Sequence, residues 1–151
     1  MGPTFDDAIA YAEKAKALNP YDAGLAGLLA TVLIMSGRPD QGIEWTEAAL
    51  AKNPAFRPML NYRLGLAYSL KGENERSVAV LKEAPEWPDI LLLRAIGYMR
   101  LGNAERAGST YRKALAANPA FTQAHWRQGY FYKDPAVVEG QVADLVKLGL
   151  P

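Results

Sequence analysis

The sequence predicts an all-α chain of antiparallel helix pairs stacked in series, and three observations predict it. One is a recurring skeleton: Leu64, Gly65, Ala67 and Tyr68 are followed by Gly72, Leu81 and Ala84. It returns as Ala95, Tyr98, Gly102, Ala107, Tyr111 and Ala114, and again as Gln128-Gly129 with Tyr132. Upstream it is weaker, in Leu29-Ala30, Leu33, Gly37, Gly42 and Ala49. Another is the punctuation by Asn19-Pro20, Asn53-Pro54 and Asn118-Pro119; Pro20 to Pro54 is 34 residues, and Pro54 to Pro119 is 65, three short of two such periods. The third is the order of helix start and stop signals between those marks. A helix pair of this length cannot bury its apolar face alone, so successive pairs must stack.

The first helix is predicted over residues 5–17. Thr4 with Asp7 three residues later suits an N-terminal cap; Ala8, Ala12 and Ala15 share a face, and Pro20 closes the segment. Aligned on the Asn-Pro pairs, residues 4–20 are a lone or half-repeat helix, so the chain reads as starting mid-repeat. Residues 22–54 form the next unit: Asp22 caps a helix that Gly37 ends, and Pro39 opens a second helix carrying Ile43, Trp45 and Leu50. Gly24, Gly27 and Gly42 are poor helix formers, retained where helices approach closely. Residues 58–87 are a shortened repeat, because the next begins near Pro88, only 30 residues after Pro58. Two prolines around Trp87 prevent helix continuation, and Trp87 is expected to plug the gap left by the missing turn. Residues 88–119 form a repeat with Gly102 at its turn and Asn103 as cap. Residues 122–151 form the C-terminal repeat and cap. Its first helix is expected to hold Trp126, Tyr130 and Tyr132, and its second starts at Asp134-Pro135 and ends at Gly149. The total is nine helices, one alone and four pairs.

The chain has 151 residues, half of them apolar, with 17 Lys+Arg against 16 Asp+Glu. That balance argues against a nucleic-acid-binding domain and against an electrostatic membrane anchor. The longest apolar run, Leu25 to Met35, is broken by Thr31 and falls short of the ~20 residues a membrane span requires, so membrane insertion is not expected. There is no Cys, hence no disulfide or thiolate metal site. Asp6 and Asp7 stand where a secretory leader would be basic, and a cytoplasmic location is expected. Met1-Gly2-Pro3 reads as an expression start.

With small residues, an aromatic and a terminal Pro at fixed offsets in a 34-residue period, the chain resembles the tetratricopeptide repeat family over nearly its whole length. The resemblance implies a right-handed α-solenoid with a concave groove lined by the first helix of each pair. It places Gly65, Ala95 and Gly129 where helices of a pair cross closely, with Tyr68, Tyr98 and Tyr132 beside them. A narrower resemblance covers the ending: Asn118-Pro119-Ala120-Phe121-Thr122, His125-Trp126-Arg127, Phe131-Tyr132-Lys133-Asp134-Pro135 and Leu145-Val146-Lys147-Leu148-Gly149-Leu150-Pro151. It looks like the tail of the repeat regions behind alphaproteobacterial class III adenylate/guanylate cyclase domains and some winged-helix regulators, as does Asn19-Pro20-Tyr21. The chain departs from that pattern at Tyr132 and at Val146-Lys147-Leu148, where a more basic stretch is common. This resemblance implies the regulatory or assembly end of a larger bacterial signalling protein.

No catalytic constellation is legible, and no cofactor is expected. The only His, His125, has no second ligand near it in sequence, no glycine-rich phosphate loop occurs, and the serines lack a base partner. The expected function is protein–protein interaction. On the family pattern the groove would present Met59, Tyr62, Arg63, Leu66 and Leu70, then Leu92, Ile96, Met99 and Arg100, then Trp126, Arg127 and Tyr130, an apolar and aromatic surface with a few cations. That suits a peptide or protein partner with apolar anchors. A clamp for chaperone carboxy termini is disfavoured, because the matching positions hold only scattered cations. Alternatives are self-association, motivated by the unpaired first helix, and a sensor for a small apolar ligand.

Overall fold

A computed structural model describes residues 4–151; the Met1-Gly2-Pro3 reading lies outside them. The described residues form nine α-helices and no strand: α1 (Phe5–Leu18), α2 (Ala23–Met35), α3 (Pro39–Lys52), α4 (Arg57–Leu70), α5 (Asn74–Leu81), α6 (Pro88–Arg100), α7 (Ala104–Ala117), α8 (Gln123–Gly129) and α9 (Pro135–Leu148). A 3-10 turn over Pro54–Phe56 leads into α4. None of these helices is long and apolar enough to cross a membrane.

Local chemistry sets the ends of the helices. The Thr4 hydroxyl accepts from the Asp7 amide while the Asp7 carboxylate accepts from the Thr4 amide at 2.8 Å, a reciprocal cap for α1. That amide holds the Asp7 carboxyl below the usual carboxylate range. Asp22, Asn103 and Asp134 cap α2, α7 and α9 by accepting from Leu25, Arg106 and Ala136 amides. Gly37, Gly72 and Gly102 take φ of 86°, 75° and 73° after the first helices of three pairs. The next amide in each case returns to the helix, Arg38 to Leu33, Glu73 to Tyr68 and Asn103 to Tyr98, each at 2.9 Å. Only a residue without Cβ adopts that left-handed turn freely.

Pairs α2–α3, α4–α5 and α6–α7 stack in order, each first helix also meeting the neighbouring pair. Their crossings are close. A Cβ on Gly65 would coincide with Leu81, one on Gly42 would lie 2.5 Å from Ile34 Cγ1, and one on Gly97 would lie 2.6 Å from Val78 Cγ2. Ser77 Oγ donates to the Gly65 carbonyl at 2.8 Å across the same crossing. Ala95, Tyr68 and Tyr98 are buried as the repeat implies. Gly129 is not at a crossing: nothing lies within 4 Å of its Cβ position.

Helix α5 has 8 residues against 14 in α3 and α7. Trp87 does not plug the gap. It precedes α6 and is 51% exposed, while Leu81, Ala84 and Ile90 are the buried residues there.

The C-terminal unit departs furthest from the repeat. Helix α8 has only 7 residues; Tyr130 follows its end and Tyr132 lies outside any helix, correcting the longer first helix expected. Helix α9, not α8, makes the main packing on α6 and α7. The segment after α8 instead crosses the face built by the first helices, and the Lys133 amide donates to the Met35 carbonyl at the end of α2, at 2.8 Å. The Pro151 carbonyl accepts from the Gln123 amide at 2.8 Å, tying the Gly149-Leu150-Pro151 ending to the start of α8. In the first three pairs a turn glycine follows the crossing residue by seven positions, Ala30 to Gly37, Gly65 to Gly72 and Ala95 to Gly102; position 136 is Ala. The chain instead leaves the helix at Gly129 and re-enters one at Asp134-Pro135, where the proline cannot sit inside a continued helix.

Candidate functional site

The face expected to receive a partner is largely filled by the chain's own ending. Leu66, Leu92, Ile96 and Trp126 have no accessible surface, and Tyr130 is almost fully buried. Trp126 stacks on Tyr130 at 4.2 Å between ring centroids, and Tyr130 on Tyr132 at 6.3 Å. The Tyr130 hydroxyl meets the Tyr62 hydroxyl at 3.0 Å. Trp126 Nε1 donates to Gln141 Oε1, and Gln141 Nε2 donates to the Tyr132 hydroxyl, both at 3.1 Å, so the buried amide of Gln141 is bonded at both ends. Burial raises the pKa of Tyr62, Tyr130 and Tyr132 above the ordinary tyrosine value. These residues form one packed aromatic junction rather than an open surface.

The other expected residues divide. Leu70 and Met99 are half-buried. Arg100 and Arg127 are committed to ion pairs, Arg100 Nε with Asp144 at 2.9 Å and Arg127 with both oxygens of Glu139 at 2.8 and 2.9 Å. His125 accepts the Thr122 amide on Nδ1 at 3.1 Å, a capping contact for α8.

Met59 and Arg63 border an open cleft of about 130 Å³ between α2 and α4. Gly24, Gly27, Phe56, Met59, Leu60 and Arg63 line it. Gly27 keeps it open, since a Cβ there would stand 3.4 Å from Leu60 Cδ2 and 3.8 Å from Arg63 Nε. Phe56 and Met59 are exposed. The Arg63 guanidinium carbon sits 4.8 Å from the centroid of the Tyr62 ring. Its Nε is buried with no hydrogen-bond partner among the described residues, and desolvation pulls its pKa down. A buried donor without an acceptor costs about 1–3 kcal/mol, which an incoming carbonyl or carboxylate would recover. Gly24, Gly27 and Phe56 were not expected as site residues. The signal for the glycines was in the sequence, two poor helix formers on one helix.

Tetratricopeptide repeat family models match the chain over residues 4–61, and over residues 60–87 and 88–121. Among solved structures, one crystal structure of MamA aligns with a TM-score of 0.67 at 17% identity, covering 95% of this chain and 88% of that one. A second MamA structure aligns at 0.66 with 21% identity, covering 95% and 80%. A thermophilic TPR protein in Thermus thermophilus aligns at 0.67 with 23% identity, covering 94% and 73%. At these identities the likeness establishes the fold. No curated protein matches the chain in sequence.

Proposed function

Because the chain belongs to the tetratricopeptide repeat family, we propose that it is a non-catalytic protein-interaction module that seats a partner's peptide in the cleft between α2 and α4. The observation that carries this reading is the unpartnered, buried Arg63 Nε in an otherwise apolar cleft. The matching ligand is a segment with an apolar side chain for Met59, Phe56 and Gly27, beside a carboxylate or free carbonyl for Arg63. Of the twelve groove residues expected from sequence, Met59 and Arg63 are assigned to the partner. Tyr62, Leu66, Leu92, Ile96, Trp126 and Tyr130 are assigned to holding the ending in place.

The test is a titration of an identified partner against four variants. Arg63→Ala and Met59→Ala are expected to weaken binding roughly tenfold or more, the size typical of residues central to an interface. Lys82→Ala, at the exposed residue that ends α5, and Arg112→Ala, at an exposed position of α7, are expected to change it about twofold or less. Loss of binding in the outer pair with none in the cleft pair refutes the assignment. The resemblance of the ending to cyclase-associated tails supports a regulatory or assembly role inside a larger bacterial signalling protein in the cytoplasm. Finding a cyclase or winged-helix domain in the same polypeptide is the check on that setting.

A further inference from the structure

Helix α1 has a face that every comparable helix in the chain keeps covered. Counting back 34 residues from α3, Ala8, Ala12 and Ala15 occupy the positions of Gly42, Thr46 and Ala49. In α3 those three are buried, with Ile34 and Ala30 of α2 lying over Gly42. Of the three positions in α1 only Ala12 is buried; Ala8 and Ala15 are half-covered, and Tyr11 is 72% exposed. Leu25, Leu28 and Val32 of α2 form the other wall of an apolar groove of about 340 Å³. A second hollow of about 220 Å³ shares Ala8 and Val32 with it and extends the apolar surface to Phe5 and to Phe131, which is 64% exposed. In the rest of the chain this position in the repeat is filled by a helix, α2 over α3 and α4, and α4 over α5 and α6. The groove therefore has the shape of a helix site rather than that of an extended peptide.

We propose that a second copy of this chain fills it, by antiparallel two-fold pairing of α1 with α1 about Tyr11. Charge selects this occupant. At about 100° per residue, Asp7, Lys14 and Leu18 fall beside Tyr11 along the outer rim of the open face. The negative group is one turn before Tyr11 and the positive group about one turn after it. Two-fold pairing centred on Tyr11 sets Asp7 of each copy against Lys14 of the other, and sets each Tyr11 among the small residues Ala8 and Ala15. A parallel pairing would oppose Asp7 to Asp7 and Lys14 to Lys14. The same patch serves both copies, as a closed two-fold interface requires. Lys14 makes no ion pair among the described residues, so its charge is available.

The chain has no cysteine, which makes a direct test simple. Tyr11→Cys places a single thiol at the expected two-fold axis, and Leu101→Cys places one at an exposed turn away from it. The expected result is a parent that dimerises with rising concentration in sedimentation equilibrium, and a Tyr11→Cys variant that mild oxidation locks as a covalent dimer much faster than Leu101→Cys. Lys14→Glu puts like charges together twice and is expected to weaken dimerisation roughly tenfold at low salt. Monomer at every concentration overturns the proposal and leaves the groove to a helix of another protein. A dimer that Tyr11→Cys does not lock faster than Leu101→Cys overturns it also. The readout is oligomeric state, so failure here leaves the α2–α4 cleft untouched, and failure of the Arg63 titration leaves this face untouched.

Discussion

Gly65→Val tests the crossing on which the α4–α5 pair depends. The position a Cβ would take is already held by the Leu81 side chain, and Leu81 has no accessible surface. Leu81 must leave its rotamer, at about 0.5–1.5 kcal/mol, or the helices must separate and strain the Ser77–Gly65 hydrogen bond. Overpacking of this kind costs about 1–3 kcal/mol. Val forms helix better than Gly by only a few tenths of a kcal/mol, too little to offset it. The expected net loss is therefore about 1–3 kcal/mol, or a melting point lowered by roughly 2–12 °C for a chain of this size. Thermal melts and denaturant midpoints followed by helical dichroism read it, with Gly140→Ala as the comparison. Gly140 lies in α9 with nothing within 4 Å of its Cβ position, so Ala there is expected to stabilise by up to about 1 kcal/mol. A Gly65→Val variant that melts with or above the parent, while Gly140→Ala rises, refutes the close-crossing argument.

Trp126→Phe keeps an aromatic ring but removes the indole N–H, leaving the buried Gln141 Oε1 without its donor, and is expected to cost about 1–3 kcal/mol and to speed hydrogen exchange at the Lys133 amide. Trp126→Ala empties a fully buried site and is expected to cost about 3–5 kcal/mol, so it reports on folding before it reports on any partner. Tyr62, Tyr130 and Tyr132 are held neutral by burial, with pKa values raised above the ordinary 10.0. Their contribution is intact below that value and falls as pH climbs above it, because the unfolded chain ionises first, by up to about 1.4 kcal/mol per pH unit for each tyrosine. Denaturant midpoints at about pH 9 and about pH 11 are expected to fall steeply in the parent and less steeply in Tyr62→Phe/Tyr130→Phe; equal slopes would dissolve the junction argument.

What was legible in the sequence was local. The caps at Thr4, Asp22, Asn103 and Asp134, the turn at Gly102 and the Gly65 crossing are each decided by residues within one helix pair. The Gly97–Val78 contact is a crossing of the same kind between successive pairs, and only the packing reveals it. The ending misled because Gly129 and Tyr132 imitate the repeat while the turn glycine that would complete it is missing at position 136. Its fold-back joins Lys133 to Met35, far apart in the chain, and such a pairing leaves no periodic trace. Trp87 misled for a similar reason, since a lost turn predicts a gap but not which side chain closes it. The repeat pattern puts the groove residues on one surface; in the structure Tyr62 and Tyr130 touch, one from the wall and one from the segment lying on it.

That arrangement changes how the concave face can be used. In a simple stacked array each repeat touches only its neighbours, so an end can fray alone. Here the Lys133–Met35 bond and the Tyr62–Tyr130 contact tie the last unit to the first and second pairs. Losing the last unit would expose Leu66, Leu92 and Ile96 together. A ligand aimed at those residues must first displace Trp126, Tyr130 and Tyr132, and its apparent affinity falls by the fraction of molecules in which that segment is undocked. A ligand aimed at Met59 and Arg63 meets a cleft already formed and displaces nothing. For equal intrinsic contact the second binds more tightly. The part of the groove that the chain does not cover itself is therefore where a partner of the proposed kind would gain most, which supports the proposed α2–α4 cleft over the buried aromatic row.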